Sequence, residues 1–224
     1  MKNFVNKIFT IGQLKKHASK EAIQQYNEFV RGLQIMQKYV DTIITNGRVN
    51  HYWFQKIIAI LSSGQITVGG QGNSEPDLYW GKKTLELKGF TTSEFNNLKP
   101  IRTGASKFFA SNGGITALKQ SDQTLEAMKK IVFESSYHDD YYMLTETCGM
   151  KSIANLEDIR IIFVETSVLT DNLISECGPH TKSYDHKWTD GNGKEQKKKI
   201  NWPYLEVDTS NLCKKLEAIN EQQC

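Results

Sequence analysis

The segment Glu75-Pro76-Asp77-Leu78-Tyr79-Trp80-Gly81-Lys82-Lys83-Thr84-Leu85-Glu86-Leu87-Lys88 constrains this chain more than any other. A glycine-first pair between two strand-like runs specifies a tight hairpin. A two-residue turn at Gly81-Lys82 sets Trp80 against Lys83, Leu78 against Leu85 and Asp77 against Glu86. Side chains alternate faces along a strand, so Glu86 and Lys88 share one face while Leu85 and Leu87 enter an apolar layer on the other. Directly paired residues have Cβ atoms about 4.5–5.5 Å apart, which brings the two carboxylates together. The same register places Glu75 near Lys88. Neighbouring carboxylates repel each other; without a cation or the lysine such a face is costly, and this marks it as a candidate site.

Two carboxylates and an ammonium suit a hard cation. Magnesium prefers carboxylate and carbonyl oxygens and keeps several of its waters. It lowers the pKa of a bound water and stabilises charge building on phosphoryl oxygens, so the face is equipped for metal-dependent phosphodiester hydrolysis. As plain surface chemistry the same residues would form ion pairs worth little each. The pattern Pro76-Asp77 followed by Glu86-Leu87-Lys88 resembles the PD-(D/E)xK nuclease superfamily, which holds most type II restriction endonucleases. The resemblance rests directly on about 14 residues. It implies that Asp77 and Glu86 bind Mg2+ with help from the Leu87 backbone carbonyl, and that Lys88 positions or activates the attacking water. Many members carry a glutamate on a helix shortly before the motif. Here the helical stretch 51–58 offers Gln55 instead, and Gln55 and Glu75 are accessory candidates.

The resemblance further implies a restriction-endonuclease-like fold and cleavage of double-stranded DNA at a short sequence, leaving 5′-phosphate and 3′-hydroxyl ends. A homodimer is expected, because a palindromic site matches a two-fold axis, with the long N-terminal helix as its interface. Two other readings stand beside this one. The first is a nuclease of the same superfamily in repair, recombination or phage replication, selecting a structure or a modified base. The second is a DNA-binding module that keeps the hairpin without catalysis.

With 224 residues, 38% hydrophobic and 24% charged, the chain has the composition of a folded protein rather than a disordered one. It is read as a single nuclease domain over 1–224, with a helical N-terminal part over 1–64, a catalytic core over 65–175 and a basic hairpin or flap over 179–200. No apolar run approaches the roughly 18–20 residues that span a bilayer. The N-terminus lacks the apolar segment of a secretory signal, so a cytoplasmic location without a membrane partner is expected. Cys148, Cys177, Cys213 and Cys224 are too dispersed for a close metal-ligand motif and read as packing residues or idle thiols. His138 beside Asp139-Asp140 reads as a loop with solvated charge.

The net charge of +3 does not announce nucleic-acid binding, so the distribution decides. From His180 to Lys199, six lysines stand against three acids, an excess equal to that of the whole chain. Asp190-Gly191-Asn192-Gly193 is a turn signal, and the segment should form a long polar hairpin. A two-stranded ribbon fits the major groove of DNA, and Lys187, Lys194, Lys197, Lys198 and Lys199 are candidate phosphate contacts. A second basic stretch follows the motif, where Arg102, Ser106, Lys107 and Asn112 are candidate DNA contacts.

The remaining pattern is scaffold. Helical spacing predicts a long helix from Lys20 to Ile44, stopping at Asn46-Gly47, then one over His51–Leu61 and one from Ser121 to about Phe133. Strands are expected over Tyr141–Glu146, at the apolar run Ile159–Val164 and over Ile200–Val207, with a final helix capped by Ser210. Together these give an α/β (α+β) architecture, a mixed central β-sheet flanked by helices.

Overall fold

A computed structural model of the chain describes residues 1–40, 47–70, 75–97, 99, 101–104, 139–172, 180–189 and 194–221. In chain order the elements are β1 (Lys7–Thr10), α1 (Ile11–Lys16), α2 (Lys20–Gln37), α3 (Gly47–Leu61), β2 (Ile66–Val68), β3 (Leu78–Trp80) and β4 (Lys83–Gly89). They continue with α4 (Thr92–Asn96), β5 (Ile101–Gly104), β6 (Tyr141–Thr145), β7 (Arg160–Glu165), α5 (Thr166–Asp171), β8 (His180–Thr189), β9 (Glu195–Val207) and α6 (Thr209–Glu221).

Six strands form one mixed sheet in the order β1-β7-β6-β4-β3-β2. β4 runs parallel to β6, and the other neighbours are antiparallel. The period-two pattern of β4 divides its residues between two cores. Leu85 and Leu87 join Met143, Ile161 and Phe163 in a first core covered by Tyr26 and Leu33 of α2 and by Trp53, Phe54, Ile57, Ile58 and Leu61 of α3. The α3 contributions recur at helical spacing, so one stripe of the helix enters the sheet. Tyr142, Leu144, Ile162 and Val164 face a second core closed by Val168 and Leu169 of α5 and by Leu212 and Leu216 of α6. Each fully buried aliphatic or aromatic side chain contributes about 1.5–3 kcal/mol, so both faces of the central strands are anchored. The protein is thus a mixed α/β chain of the α+β kind, a mixed sheet flanked by helices. No helix among the described residues is long and apolar enough to cross a membrane.

The hairpin has the expected register: Trp80 faces Lys83 and Leu78 faces Leu85, across a turn in which Gly81 has φ +60°. Other elements differ. α2 ends at Gln37 rather than Ile44, and Gly47 opens α3 instead of stopping α2. Residues 41–44 of the expected helix lie outside the described residues. Asp208, not Ser210, caps α6, accepting from the Asn211 N–H at 3.0 Å. β9 is one long strand, so the expected 200–207 strand continues the basic hairpin, and β5-β9-β8 form a second, three-stranded sheet. The helix expected from Ser121 lies outside the described residues.

Candidate active site

The site is built where β3 parts from β4. At Asp77 the backbone turns toward β2, its carbonyl accepting from the Gly69 N–H at 2.8 Å. A side chain at Gly69 would place its Cβ 1.9 Å from the Pro76 carbonyl oxygen, so glycine permits that approach. On the other side the Asp77 carboxylate takes the place of a strand partner: Oδ2 accepts from the Leu87 N–H at 2.8 Å. In an extended strand the N–H and C=O of one residue point the same way. The Leu87 carbonyl therefore faces the same gap as the N–H that Asp77 binds.

Helix α3 supplies the other half of this clamp. Gln55, buried at 2% exposure, donates its amide Nε2–H to Asp77 Oδ1 at 3.0 Å. His51 Nε2 hydrogen-bonds the same oxygen at 3.1 Å. The helix start is tied down by Asn50, whose amide donates to the Thr147 carbonyl at 3.0 Å. Burial pushes the Asp77 carboxyl upward. The His51 hydrogen bond and charge, the Leu87 N–H and the Lys88 charge outweigh that effect and hold it below the ordinary carboxylate value.

Glu86 and Lys88 share the second-core face of β4, opposite Tyr142 and Leu144 of β6 respectively. Glu86 is buried at 7% exposure and accepts a short hydrogen bond from the Lys88 ammonium. The Tyr142 phenol reports the local field: burial, and then the negative charges of Glu86, Asp139 and Asp77, push its pKa well above the ordinary value. Asp139 corrects an expectation, since it is buried at 4% exposure rather than solvated. Its neighbour Asp140 is engaged by Lys83 Nζ at 2.6 Å and the Thr84 N–H at 2.9 Å.

Hard oxygen donors share one neighbourhood: the Asp77 carboxylate beside the Leu87 main chain, and Glu86 one residue earlier on β4, with the charges of Asp77, Glu86 and Asp139 all reaching Tyr142. That donor set fits magnesium. A carboxylate has about four acceptor sites, and Asp77 spends three of them on His51, Gln55 and Leu87. Among the described residues no group of three or more His, Cys, Asp and Glu side chains forms a ready-made metal cluster. Magnesium here would therefore rest on the two carboxylates, the carbonyl and retained waters.

The structure separates the remaining candidates. Glu75 is exposed, and its carboxylate lies against Gly70, a contact toward β2 that the hairpin register did not suggest. Arg102 stands on β5 opposite Glu206. Lys187 faces Lys197, His186 faces Lys198 and Asp185 faces Lys199 along the β8/β9 ladder. Lys194 precedes β9 and is exposed. Ser106, Lys107, Asn112 and His138 lie outside the described residues. Of the thiols, Cys148 is exposed and Cys213 half-buried; Cys177 and Cys224 fall outside the described residues. His51 and Asp139 are the members that sequence reasoning missed. His51 stands one helical turn before Gln55, the one spacing that would have flagged it.

No family model matches the chain, and neither does any curated protein or solved structure.

Proposed function

We propose that the chain is a magnesium-dependent endodeoxyribonuclease of the PD-(D/E)xK kind, a type II restriction endonuclease cutting double-stranded DNA at a short specific sequence. One observation supports this reading: Asp77 accepts from the N–H of Leu87, the residue that separates Glu86 from Lys88, so the proposed catalytic groups and the Leu87 carbonyl belong to one short stretch of β4 and the residue bonded to it. Asp77, Glu86 and the Leu87 carbonyl would hold Mg2+, which supplies an activated water and stabilises charge on the phosphoryl group. Lys88 places a positive charge beside the scissile phosphate and orients the nucleophile. His51 and Gln55 fix the rotamer of Asp77, and the apolar second core keeps bulk water from one side of the site. The β8/β9 ribbon supplies lysines for the phosphate backbone.

The same reading includes a homodimer. Ile35 and Met36 in the last turn of α2, Tyr39 and Val40 just beyond it, and Val49 and Tyr52 of α3 are exposed apolar residues. The adjoining groove carries Glu28 and Lys56, opposite charges that a two-fold partner can pair reciprocally. Met36→Glu should lower the solution mass if this face joins two copies; a parent that is monomeric while bound to DNA contradicts the dimer.

The deciding experiment incubates the protein with unmethylated phage DNA and magnesium, beside an Asp77→Ala control, and sequences the product ends. Ends sharing one motif are expected. Cleavage confined to branched or modified DNA would favour the repair or phage-replication reading. DNA retention without cleavage, in magnesium and in manganese, would leave a binding module.

A further inference from the structure

Two cations stand along one face of α2. Arg31, Gln34, Ile35 and Lys38 are spaced i, i+3, i+4 and i+7, so they form one stripe, and all four are exposed. A lysine at a helix C-terminus ordinarily does no more than complement the helix dipole, an effect confined to the last turn. Arg31 lies about two turns earlier, so the dipole does not account for it. Nor does an ion pair. Glu28, the acid one turn before it, accepts from the Gln24 amide at 3.0 Å and lines the opposite groove. Among the described residues no acid bridges Arg31 or Lys38.

The stripe walls a cavity of about 660 Å³ whose other side is Ser152, Ile153 and Ala154 of the loop after β6. Both walls are anchored. Leu33 of α2 and Ile153 of the loop are buried in the first core, and the Gln37 amide donates across them to the Lys151 carbonyl at 3.3 Å. The Ser152 hydroxyl accepts from the Ala154 N–H at 3.1 Å and keeps its own proton to donate. The polar side chains of the lining are thus cations, amides and one hydroxyl, with no carboxylate. Donors without a competing acid suit phosphate oxygens, Arg as a fork and Lys as a point charge. Because the helix wall is exposed along its length, the cavity suits a strand lying across it better than an enclosed small molecule.

The same loop starts at the proposed active site. The Thr147 carbonyl accepts from Asn50 of α3, and Cys148 Sγ stands 2.6 Å from where a Cβ on Gly89, the residue after Lys88, would lie. Ser152 comes four residues after Cys148, and an extended chain of that length reaches about 14 Å at most. Even with the step back to Lys88, a strand engaged there meets the cavity within about six nucleotides at 3.4 Å each, about half a turn of duplex.

We infer that Arg31 and Lys38, with the Ser152 hydroxyl, hold backbone phosphates of duplex DNA beside the proposed active site. The distance to the cut rests on the nuclease reading; the phosphate contact does not. Ile35 alone belongs both to this cavity and to the apolar patch of the proposed dimer, so the two surfaces adjoin and are separable by substitution.

The test is the salt dependence of binding to a labelled DNA duplex, read by fluorescence anisotropy in chelator, where no metal-dependent cleavage occurs. Arg31→Ala and Lys38→Ala should each weaken binding and lower the slope of log K against log salt by about one. Lys38→Arg, which keeps the charge, should keep the slope of the parent. Lys20→Ala removes the same charge from the first turn of α2, about 27 Å from Lys38, and should change neither affinity nor slope. Cleavage in magnesium is measured separately. A parent that binds duplex through Arg31 and Lys38 yet never cuts would end the nuclease reading and leave this site standing, whereas cleavage with slopes unchanged in both variants would do the reverse. Failure of the parent to bind duplex, an equal loss in Lys20→Ala, or a lower solution mass in the Arg31 and Lys38 variants would also overturn the inference.

Discussion

The two ends of β4 each hold a carboxylate with three donors, yet they do different things. At the start of the strand Asp140 binds Lys83 and the N–H and hydroxyl of Thr84, all from one neighbouring strand. At the far end Asp77 binds groups from two layers, the helix α3 and β4 itself. Asp140 fixes β4 against the segment entering β6. Asp77 stands instead where Glu86 and Asp139 add their charge to the field on Tyr142. A carboxylate held by one strand locks a register; one clamped between a helix and a strand, near two further carboxylates, is placed for the proposed cation.

That contrast breaks most sharply in catalysis. Asp77→Ala or Glu86→Ala should lower cleavage by about 10³-fold or more while filter retention of DNA persists; near-normal turnover would remove the residue from the site. Asp140→Ala should leave cleavage per folded molecule intact. His51→Ala or Gln55→Ala should come next, with kcat falling about 10- to 100-fold through misplacement of Asp77 and KM for DNA little changed. An effect confined to KM would instead make them substrate contacts.

The stability effects are smaller and favour the other end. Asp140→Ala strands the Thr84 N–H and should cost about 1–3 kcal/mol, at about 2–4 °C in Tm per kcal/mol for a chain of this size. Unchanged melting would deny the register lock. Burial raises the Asp140 carboxyl, but the Lys83 ammonium and the Thr84 donors overcome this and hold it below the ordinary value. As pH falls, the unfolded chain takes up its proton first. The stabilisation is therefore complete above about pH 3.9 and is lost as pH drops through the folded value. The gap in urea midpoint between the parent and Asp140→Asn should accordingly narrow from about pH 6 to about pH 3. A constant gap would mean that shape, not charge, holds the lock.

The hairpin was legible because its determinants are local: a glycine able to adopt positive φ at Gly81 and a strict alternation on β4. Those two facts fix which residues share a face with Glu86. The clamp on Asp77 was not legible, although His51 and Gln55 visibly lie one turn apart. The apolar stripe of α3 dictates which side enters the core, but where the helix lands along the sheet depends on Asn50 reaching the Thr147 carbonyl, about a hundred residues away. Asp139 was misread for a related reason, since its burial follows from the placement of β6 and α5. The apolar periodicity persisted past Gln37, and the described helix stops there.

The parallel pairing of β4 with β6 has a consequence for how the molecule comes to exist. β3 and β4 are joined by two residues, so Asp77, Glu86 and Lys88 belong to a unit that can close as soon as it is synthesised. The strand beside it, Tyr141–Thr145, arrives more than fifty residues later, and pairings of such separation form slowly. During synthesis Glu86 therefore waits without Tyr142 and the second core, open to water from which the finished fold buries it. The groups of the proposed site are assembled early and covered late, and the proposed cleavage should appear only with the second half of the chain.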